Sequence, residues 1–332
     1  MKAAFKQGET VTLRDIELRP LRPDEIRLRV EACGICGTDL HVVSGEQAEA
    51  PFGHEVAGVI VELGSAVSDL AVGQQVALDS STPCGRCANC RNARQELCTD
   101  IKSFFHLGYM GLAGEMIAPA ISAIPYLGLT PEVAALSEPL GVAIDMVRLA
   151  EMHPDSNVLI MGPGPIGLMA LALVKRMGAR RVFVSAYSSQ KARARAAHEF
   201  GADVVIDPTE TPLEDYDFDC AIDRILVTTR PPTFAGAFRA AAKGGIISFI
   251  GIGHGEDALC RFDANDFHFK KLQLRASFAS PALFTPLALE YLREGVVDGE
   301  ALISHRFPLE RIEQAMATAR DKARAVKVVV MP

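Results

Sequence analysis

Four cysteines crowd into the segment TPCGRCANCRNARQELC, at Cys84, Cys87, Cys90 and Cys98. Four thiolates at that spacing, in one loop, can close a tetrahedron around zinc with Zn–S distances of about 2.3 Å. Gly85, Asn89 and Asn92 are the residues expected to turn the backbone sharply enough to converge them. All four ligands come from protein, so no coordination position stays open. Such a site holds the shape of a loop and does no chemistry. A second set is scattered. Cys36 stands in CGICGTDLH, and His54 and Glu55 stand in FGHEVAG. A thiolate, an imidazole and a carboxylate are all good zinc donors. Taken singly, these motifs are unspecific: a lone histidine more often satisfies a core hydrogen bond, and Cys33 reads as a packed thiol. Of the eight cysteines, Cys220 and Cys260 are isolated. Clustering of the others in a chain of cytosolic character argues for metal rather than disulfides.

A third element is VLIMGPGPIGLMA, residues 158–170. A short apolar strand runs into Gly162-x-Gly164-x-x-Gly167 and opens an apolar helix at Pro165 and Ile166. Gly162 permits the tight turn, Gly164 lets a pyrophosphate approach the backbone, and Gly167 lets helix and strand pack closely. The helix start then offers free N–H groups to phosphate. In a dinucleotide-binding fold the next strand ends in an acid that accepts the ribose hydroxyls. Here RRVFVSAYSSQKARAR places Ala186 there, followed by Ser188, Ser189, Lys191 and Arg193. Residues 156–198 contain no Asp or Glu, although the net charge of the chain is −7. The hydroxyls and cations suit a 2′-phosphate, so NADP is expected over NAD.

The elements that must position these residues fall into two textures. The first 120 residues are rich in Gly and Val, with alternating stretches such as EIRLRVEAC and HEVAGVIVELG. They predict a β-rich, barrel-like unit of many short strands. From about Pro131 a helix is expected over 131–152, then a strand at 157–161, a helix at 166–177 and the strand RVFVS. A further helix ends near Gly201. Strands follow at 203–206, 218–222 and 245–250. Strands alternating with helices predict a parallel sheet. The last strand, KVVVM, is of the kind that pairs back into an earlier sheet. With 332 residues, 49 % of them hydrophobic and 23 % charged, the chain suits a two-domain globular enzyme. Its mild charge indicates no nucleic-acid or anionic-membrane surface. MKAAFKQGET lacks the apolar run of a signal peptide, and no stretch of about 18 apolar residues predicts a membrane span. A cytoplasmic location is expected.

Together the motifs resemble those of the zinc-containing medium-chain alcohol dehydrogenase family, over essentially the whole chain. The deciding segment is Ser137-Glu138-Pro139-Leu140, which is similar to the polyol (sorbitol) and threonine dehydrogenase branch. There a Glu in an E-P-L segment replaces a cysteine ligand. The resemblance implies a catalytic zinc held by Cys36, His54 and Glu138, with Glu55 beside it as an alternate ligand. Thr38 would take the substrate proton and His41 would pass it to solvent through the cofactor ribose. Asp39 would orient His54. Two zinc ions per chain, one catalytic and one structural, are implied, with NAD(P) as hydride carrier. The implied fold class is α/β. A barrel-like, GroES-like catalytic domain comes from residues 1–145 and 280–332, and a doubly wound Rossmann domain from 146–279, with substrate in the cleft. The reaction implied is interconversion of a secondary alcohol of a polyol, sugar or cyclitol with its ketone. L-Threonine 3-dehydrogenase activity is the alternative, and a non-catalytic zinc and dinucleotide sensor is a reading from another class. The four-cysteine loop speaks against a zinc-free quinone reductase. A homodimer or homotetramer joined through Rossmann domains is implied.

The sequence departs from the family after FDCAI. Asp223-Arg224-Ile225 and a long LVTTRPPTF segment stand where a small-residue turn is usual. Nicotinamide contacts are therefore not assigned to single residues of GIGHG, 251–255. Phe104, Phe105 and Tyr109 are open between pocket lining and loop core.

Overall fold

The computed structural model describes residues 1–40, 49–108 and 110–332. The chain divides into two compact units. The first comprises Met1–Gly141, Ala279–Asp321 and Lys327–Pro332, and the second Val142–Phe278 and Lys322–Val326.

The first unit is built on a seven-stranded sheet. Its path runs Ala123–Pro125, Gln75–Leu78, Glu55–Leu63, Glu25–Gly34, Lys327–Met331, Ile303–Pro308, and Glu115–Pro119 also pairs with Glu25–Gly34. A smaller sheet joins Thr10–Asp15, Lys2–Gln7 and Ala50–Pro51. The strand Glu25–Gly34 is central: Ile26, Leu28, Val30 and Ala32 are buried in alternation, and its last residues, Cys33 and Gly34, are buried as well. The terminal strand pairs back as its sequence predicts, antiparallel to Glu25–Gly34 and parallel to Ile303–Pro308. Register matters at one position. Gly34 lies opposite Glu55 on one side and Val329 on the other. A side chain there would run into the Glu55 carboxylate and the Lys327 stem, so only glycine lets those two groups meet.

The second unit holds a six-stranded parallel sheet. Its order is Val204–Ile206, Arg181–Ser185, Asn157–Met161, Ile222–Val227, Ala241–Phe249, Gln273–Ala276. Numbered along the chain within this sheet, that is 3-2-1-4-5-6, the doubly wound arrangement whose ligand crevice opens where the order reverses. Leu159, Phe183, Ile225, Phe238 and Ile247 pack together in its core.

Two elements differ from expectation. The helix expected over 131–152 is two helices, Pro131–Ala134 and Ser137–Leu149. The first is started by Thr130, whose hydroxyl accepts from Val133 N, with Pro131 at its first position. The strand expected at 218–222 is Ile222–Val227 instead. Asp223-Arg224-Ile225 is therefore strand and not a departing turn. Ile222, Ile225, Leu226 and Val227 are buried, and Arg224 reaches out to donate to the Glu151 carbonyl at 3.1 Å. The longer apolar run outweighs two charges, of which the largely covered Arg224 is satisfied by the Glu151 and Asp223 carbonyls.

Candidate functional site

In the cysteine loop the chain itself does the convergence. The metal-binding atoms of Cys84, Cys87, Cys90 and Cys98 lie within 4.8 Å of one another. Backbone amides point at the sulfurs: Cys87 N to Cys84 Sγ and Cys84 N to Cys98 Sγ at 3.3 Å, Asp100 N to Cys98 Sγ at 3.4 Å. N–H groups aimed at sulfur favour the thiolate. The Cys90 and Thr99 amides bring Cys87 down to about 5, whereas burial pushes Cys90 up to about 12. Gly85 makes the expected turn at φ +68, but Ala93 takes the other left-handed position at φ 56. Asn89 and Asn92 act through their side chains, donating to the Leu97 and Ala88 carbonyls at 2.5 and 2.9 Å.

The second centre is assembled from distant elements of the first unit. Cys36 follows the central strand, His54 and Glu55 stand at the start of the next, and their ligand atoms also lie within 4.8 Å of one another. Thr38 is exposed, with its hydroxyl 3.6 Å from Cys36 Sγ. Asp39 is buried. Its Oδ2 accepts from Cys36 N at 2.9 Å, and its Oδ1 lies 3.7 Å from His54 Nδ1, close in charge but too far for a hydrogen bond. His41 lies outside the described residues, as does Tyr109. Phe104 is buried core, while Phe105 sets its ring 5.1 Å from that of His54. Cys33 is a packed thiol, and burial raises its pKa well above the ordinary value.

Glu138 stands in the first turn of Ser137–Leu149, half-buried, and its Oε1 accepts from Ser80 Oγ at 2.9 Å. It is not part of the tight trio of Cys36, His54 and Glu55, but it shares their field. Burial raises its pKa, and Glu55 adds to that, against an opposing pull from His54. Nearby, Asp79 is raised to about 7, chiefly by burial, while it accepts the Thr285 hydroxyl. Burial would discharge His54, yet Cys36 and Asp39 outweigh it and hold its pKa well above normal. The centre thus brings thiol, imidazole and carboxylate donors together, and among the described residues buried His54 Nδ1 finds no hydrogen-bond partner. A thiol, an imidazole and carboxylates in that state fit a divalent zinc ion.

Sequence reasoning missed two supports of this centre. Lys327 is wholly buried, forms an ion pair with Glu55 Oε2 and donates to the Ile35 carbonyl at 3.0 Å. Burial alone would lower its pKa, but Glu55, Cys36 and Glu138 together raise it. The signal was present: a charge opening an otherwise apolar strand. Ser80, the Glu138 partner, carried no signal.

In the second unit the glycine turn is built as its motif implies. Gly162 has φ +104, and a Cβ there would lie 2.7 Å from Thr228 Oγ1. Thr228, which sequence reasoning also missed, donates to the Met161 and Gly162 carbonyls at 2.9 and 3.0 Å. Gly164 precedes the helix Pro165–Arg176, which contains Ile166, and Gly167 abuts the Gly162 carbonyl too closely for any side chain. A cavity of about 240 Å³ opens beside the turn, lined in part by Gly162, Ala186, Tyr187, Thr229 and Arg239. Ala186 is buried, while Ser188, Ser189 and Lys191 are exposed. An acid does stand close by, on the neighbouring strand's end. Asp207 Oδ2 accepts from Ser188 N at 2.7 Å, and Oδ1 from the Thr209 amide and hydroxyl.

Over residues 22–126 the chain matches the family described as alcohol dehydrogenase GroES-like domain, and over 165–291 the family described as zinc-binding dehydrogenase. L-idonate 5-dehydrogenase of Vitis vinifera is 32 % identical over 349 residues, 98 % of this chain and 93 % of that protein. Sorbitol dehydrogenase of Arabidopsis thaliana is 31 % identical over 357 residues, 98 % of this chain and 94 % of that protein. Among solved structures, a chain described as a zinc-binding dehydrogenase from Sinorhizobium meliloti, bound to NADP, superposes with a TM-score of 0.87 at 29 % identity, covering 100 % of this chain and 99 % of that one.

Proposed function

The chain belongs to the zinc-containing medium-chain alcohol dehydrogenase family, and we propose that it interconverts a secondary alcohol of a polyol, sugar, cyclitol or sugar acid with the corresponding ketone. The observation that carries this is the convergence of Cys36, His54 and Glu55 beside the Thr38 hydroxyl, with half-buried Glu138 in the same field. The first unit is then the catalytic domain and the second the dinucleotide-binding domain. Two zinc ions are held per chain: a structural one by Cys84, Cys87, Cys90 and Cys98, and a catalytic one by Cys36, His54 and a carboxylate.

Bound zinc would lower the pKa of a substrate hydroxyl or polarise a carbonyl, and the nicotinamide would take or return the hydride. The chain's residues supply the rest. Thr38 accepts the proton that leaves the substrate hydroxyl, and His41 hands it on towards solvent. Asp39 holds the Cys36 amide and faces His54, fixing both donors. A thiolate and one carboxylate offset two positive charges, with the imidazole neutral. Glu138 is the carboxylate we assign as ligand, and Glu55, tied to Lys327, is the alternate.

NADP is the preferred cofactor in this reading. Ala186 offers no carboxylate to the ribose, and Ser189 and Lys191 are exposed beside it. Asp207 is charged, but both its oxygens are engaged by Ser188 and Thr209. Ala186→Asp is expected to shift the ratio of kcat/KM for NADP over NAD towards NAD by about tenfold or more. An unchanged ratio overturns the preference. The exposed side of the edge strand Gln273–Ala276, with Leu274 and Phe278, is the surface we assign to a homodimer, or to the pairs of a homotetramer. The enzyme is assigned to the cytoplasm; among the described residues no helix is long and apolar enough to cross a membrane.

The test is metal analysis with a screen of polyols, sugar acids, cyclitols and threonine against both cofactors, followed by absorbance. Two zinc ions per chain and reduction of cofactor by a polyhydroxy substrate are expected. Turnover of threonine alone overturns the substrate class. One metal per chain and no alcohol-dependent reduction mark a sensor instead of an enzyme.

A further inference from the structure

Phe104 and Phe105 are neighbours on the helical turn Phe104–Leu107, yet their surroundings differ. Phe104 is buried, and its N–H donates to the Ser80 carbonyl at 3.0 Å. Phe105 is 50 % exposed, although its ring lies 5.1 Å from that of His54, tilted by 52°. The arm that carries both is fixed on two sides. Thr82 and Ser81 pair with Lys102 and Ser103 in a short antiparallel ladder. Just before it, Asp100 accepts from Lys102 Nζ at 2.8 Å and from Arg86 Nη2 at 2.9 Å, and its N–H points at Cys98 Sγ. Phe105 is therefore held by its buried neighbour and by the end of the cysteine loop, not by burial of its own ring.

A phenyl group left half open to water forgoes much of its hydrophobic gain. A ring that only propped His54 would be better covered. The His54 ring that it meets belongs with the Cys36 thiol, which lies 3.6 Å from the exposed Thr38 hydroxyl. An open aromatic face beside a few polar donors is the composition of a small-molecule site.

Resting on the polyhydroxy-alcohol reading of the Cys36 centre, we infer that Phe105 is a platform for the C–H face of the substrate, and that it selects a substrate in ring form, a cyclitol or a pyranose. Carbons that bear hydroxyls have electron-poor C–H bonds, which the negative face of an aromatic ring attracts. A six-membered ring holds several such bonds together on one face and turns its equatorial hydroxyls outward, where one can reach Thr38 and the metal-binding donors. An open-chain hexitol has to freeze its own torsions to present a comparable face, and that loss of freedom weakens it as a ligand. Phe105 touches substrate but takes part in no bond change, so its role is to determine specificity.

The experiment is steady-state kinetics of the zinc-loaded wild type, Phe105→Leu and Phe105→Tyr with myo-inositol, methyl glucopyranoside and the open-chain sorbitol. The wild type is expected to favour at least one ring substrate over sorbitol by about tenfold or more in kcat/KM. Phe105→Leu is expected to lower that ratio by about fivefold, mostly through KM, and Phe105→Tyr to restore most of it. Zinc analysis separates the platform from a prop. A lowered ratio at wild-type zinc content supports the platform. Loss of one zinc, or an equal loss of kcat/KM for ring and open-chain substrates, makes Phe105 a support of His54 and overturns it. Wild-type preference for sorbitol over both ring substrates overturns it without any variant. Turnover of no polyhydroxy alcohol at all overturns the reading of the Cys36 centre instead.

Discussion

The cysteine loop and the Cys36 centre both gather groups that suit zinc, by opposite means. In the loop, four thiols from one stretch of 15 residues are oriented by the amides of their own neighbours. Nothing outside the loop is needed to aim them. In the Cys36 centre the donors come from separate strands and a helix, and their supports from further away still: Ser80 for Glu138, Lys327 for Glu55. The first set is local: four thiols and no other kind of donor. The second is built by the fold, with His54 and Glu55 buried and Cys36 and Glu138 half-buried. Local geometry suffices to hold a loop; placing a reactive metal beside a hydroxyl such as Thr38 requires the whole sheet.

The sharpest way to break this comparison is to remove one sulfur from each site. Cys36→Ser is expected to leave one zinc per chain, a fold intact by circular dichroism, and kcat/KM lower by about 10³-fold or more. Cys90→Ser is expected to lower zinc content too, but to show its effect as a lower midpoint of thermal unfolding, with residual activity at low temperature. If Cys90→Ser abolishes activity in protein that is still folded, the loop is not merely structural and the contrast fails.

A second test addresses the supports. Lys327 and Glu55 neutralise one another inside the first unit, where Gly34 leaves them space. Replacing Lys327 by Met strands a buried carboxylate, a change that costs about 3–5 kcal/mol in comparable settings. Urea unfolding is expected to show a loss of that order, with Glu55→Gln in the same chain restoring part of it. The same substitution also frees Glu55 to compete for the metal, which the visible spectrum of the cobalt-substituted protein would report. A loss below about 1 kcal/mol would mean that water reaches the pair, as it does for exposed ion pairs.

The same contrast explains what was legible before the structure. The loop was readable because its information is sequential: spacing alone fixes convergence. The glycine turn was readable for the same reason, since Gly162, Gly164 and Gly167 act within six residues. The parallel sheet followed from alternating texture, although one strand slid to Ile222–Val227 because Asp223 and Arg224 masked an apolar run. Glu138 entered through family resemblance, and no spacing rule ties it to Cys36. Ser80 and Thr228 were invisible as site residues, and Lys327 showed only as a charge opening an apolar strand, because each meets its partner only through sheet register or a loop crossing. Arg193 was seen, but the direction of its guanidinium depends on Ala325, which lies 132 residues away.

The smallest expected effect is also the finest test of how the second centre is held. Ser80 Oγ donates to Glu138 Oε1 at 2.9 Å, a bond that restrains the carboxylate. Hydroxyl partners of this kind, when removed from a ligating carboxylate, weaken metal binding by about 10–100-fold. Ser80→Ala is therefore expected to raise the zinc dissociation constant of one of two metals by about tenfold, measured by competition with a chelator. The other metal should leave at the wild-type rate, since the sulfurs of the cysteine loop accept from backbone amides of the loop and its flank, which Ser80 does not touch. The thermal midpoint should hardly move, because Ser80 is a small buried hydroxyl with no other side-chain partner among the described residues. If both metals weaken together, the two sites communicate. If neither does, Glu138 is held by its helix alone, and Glu55 carries the ligand role.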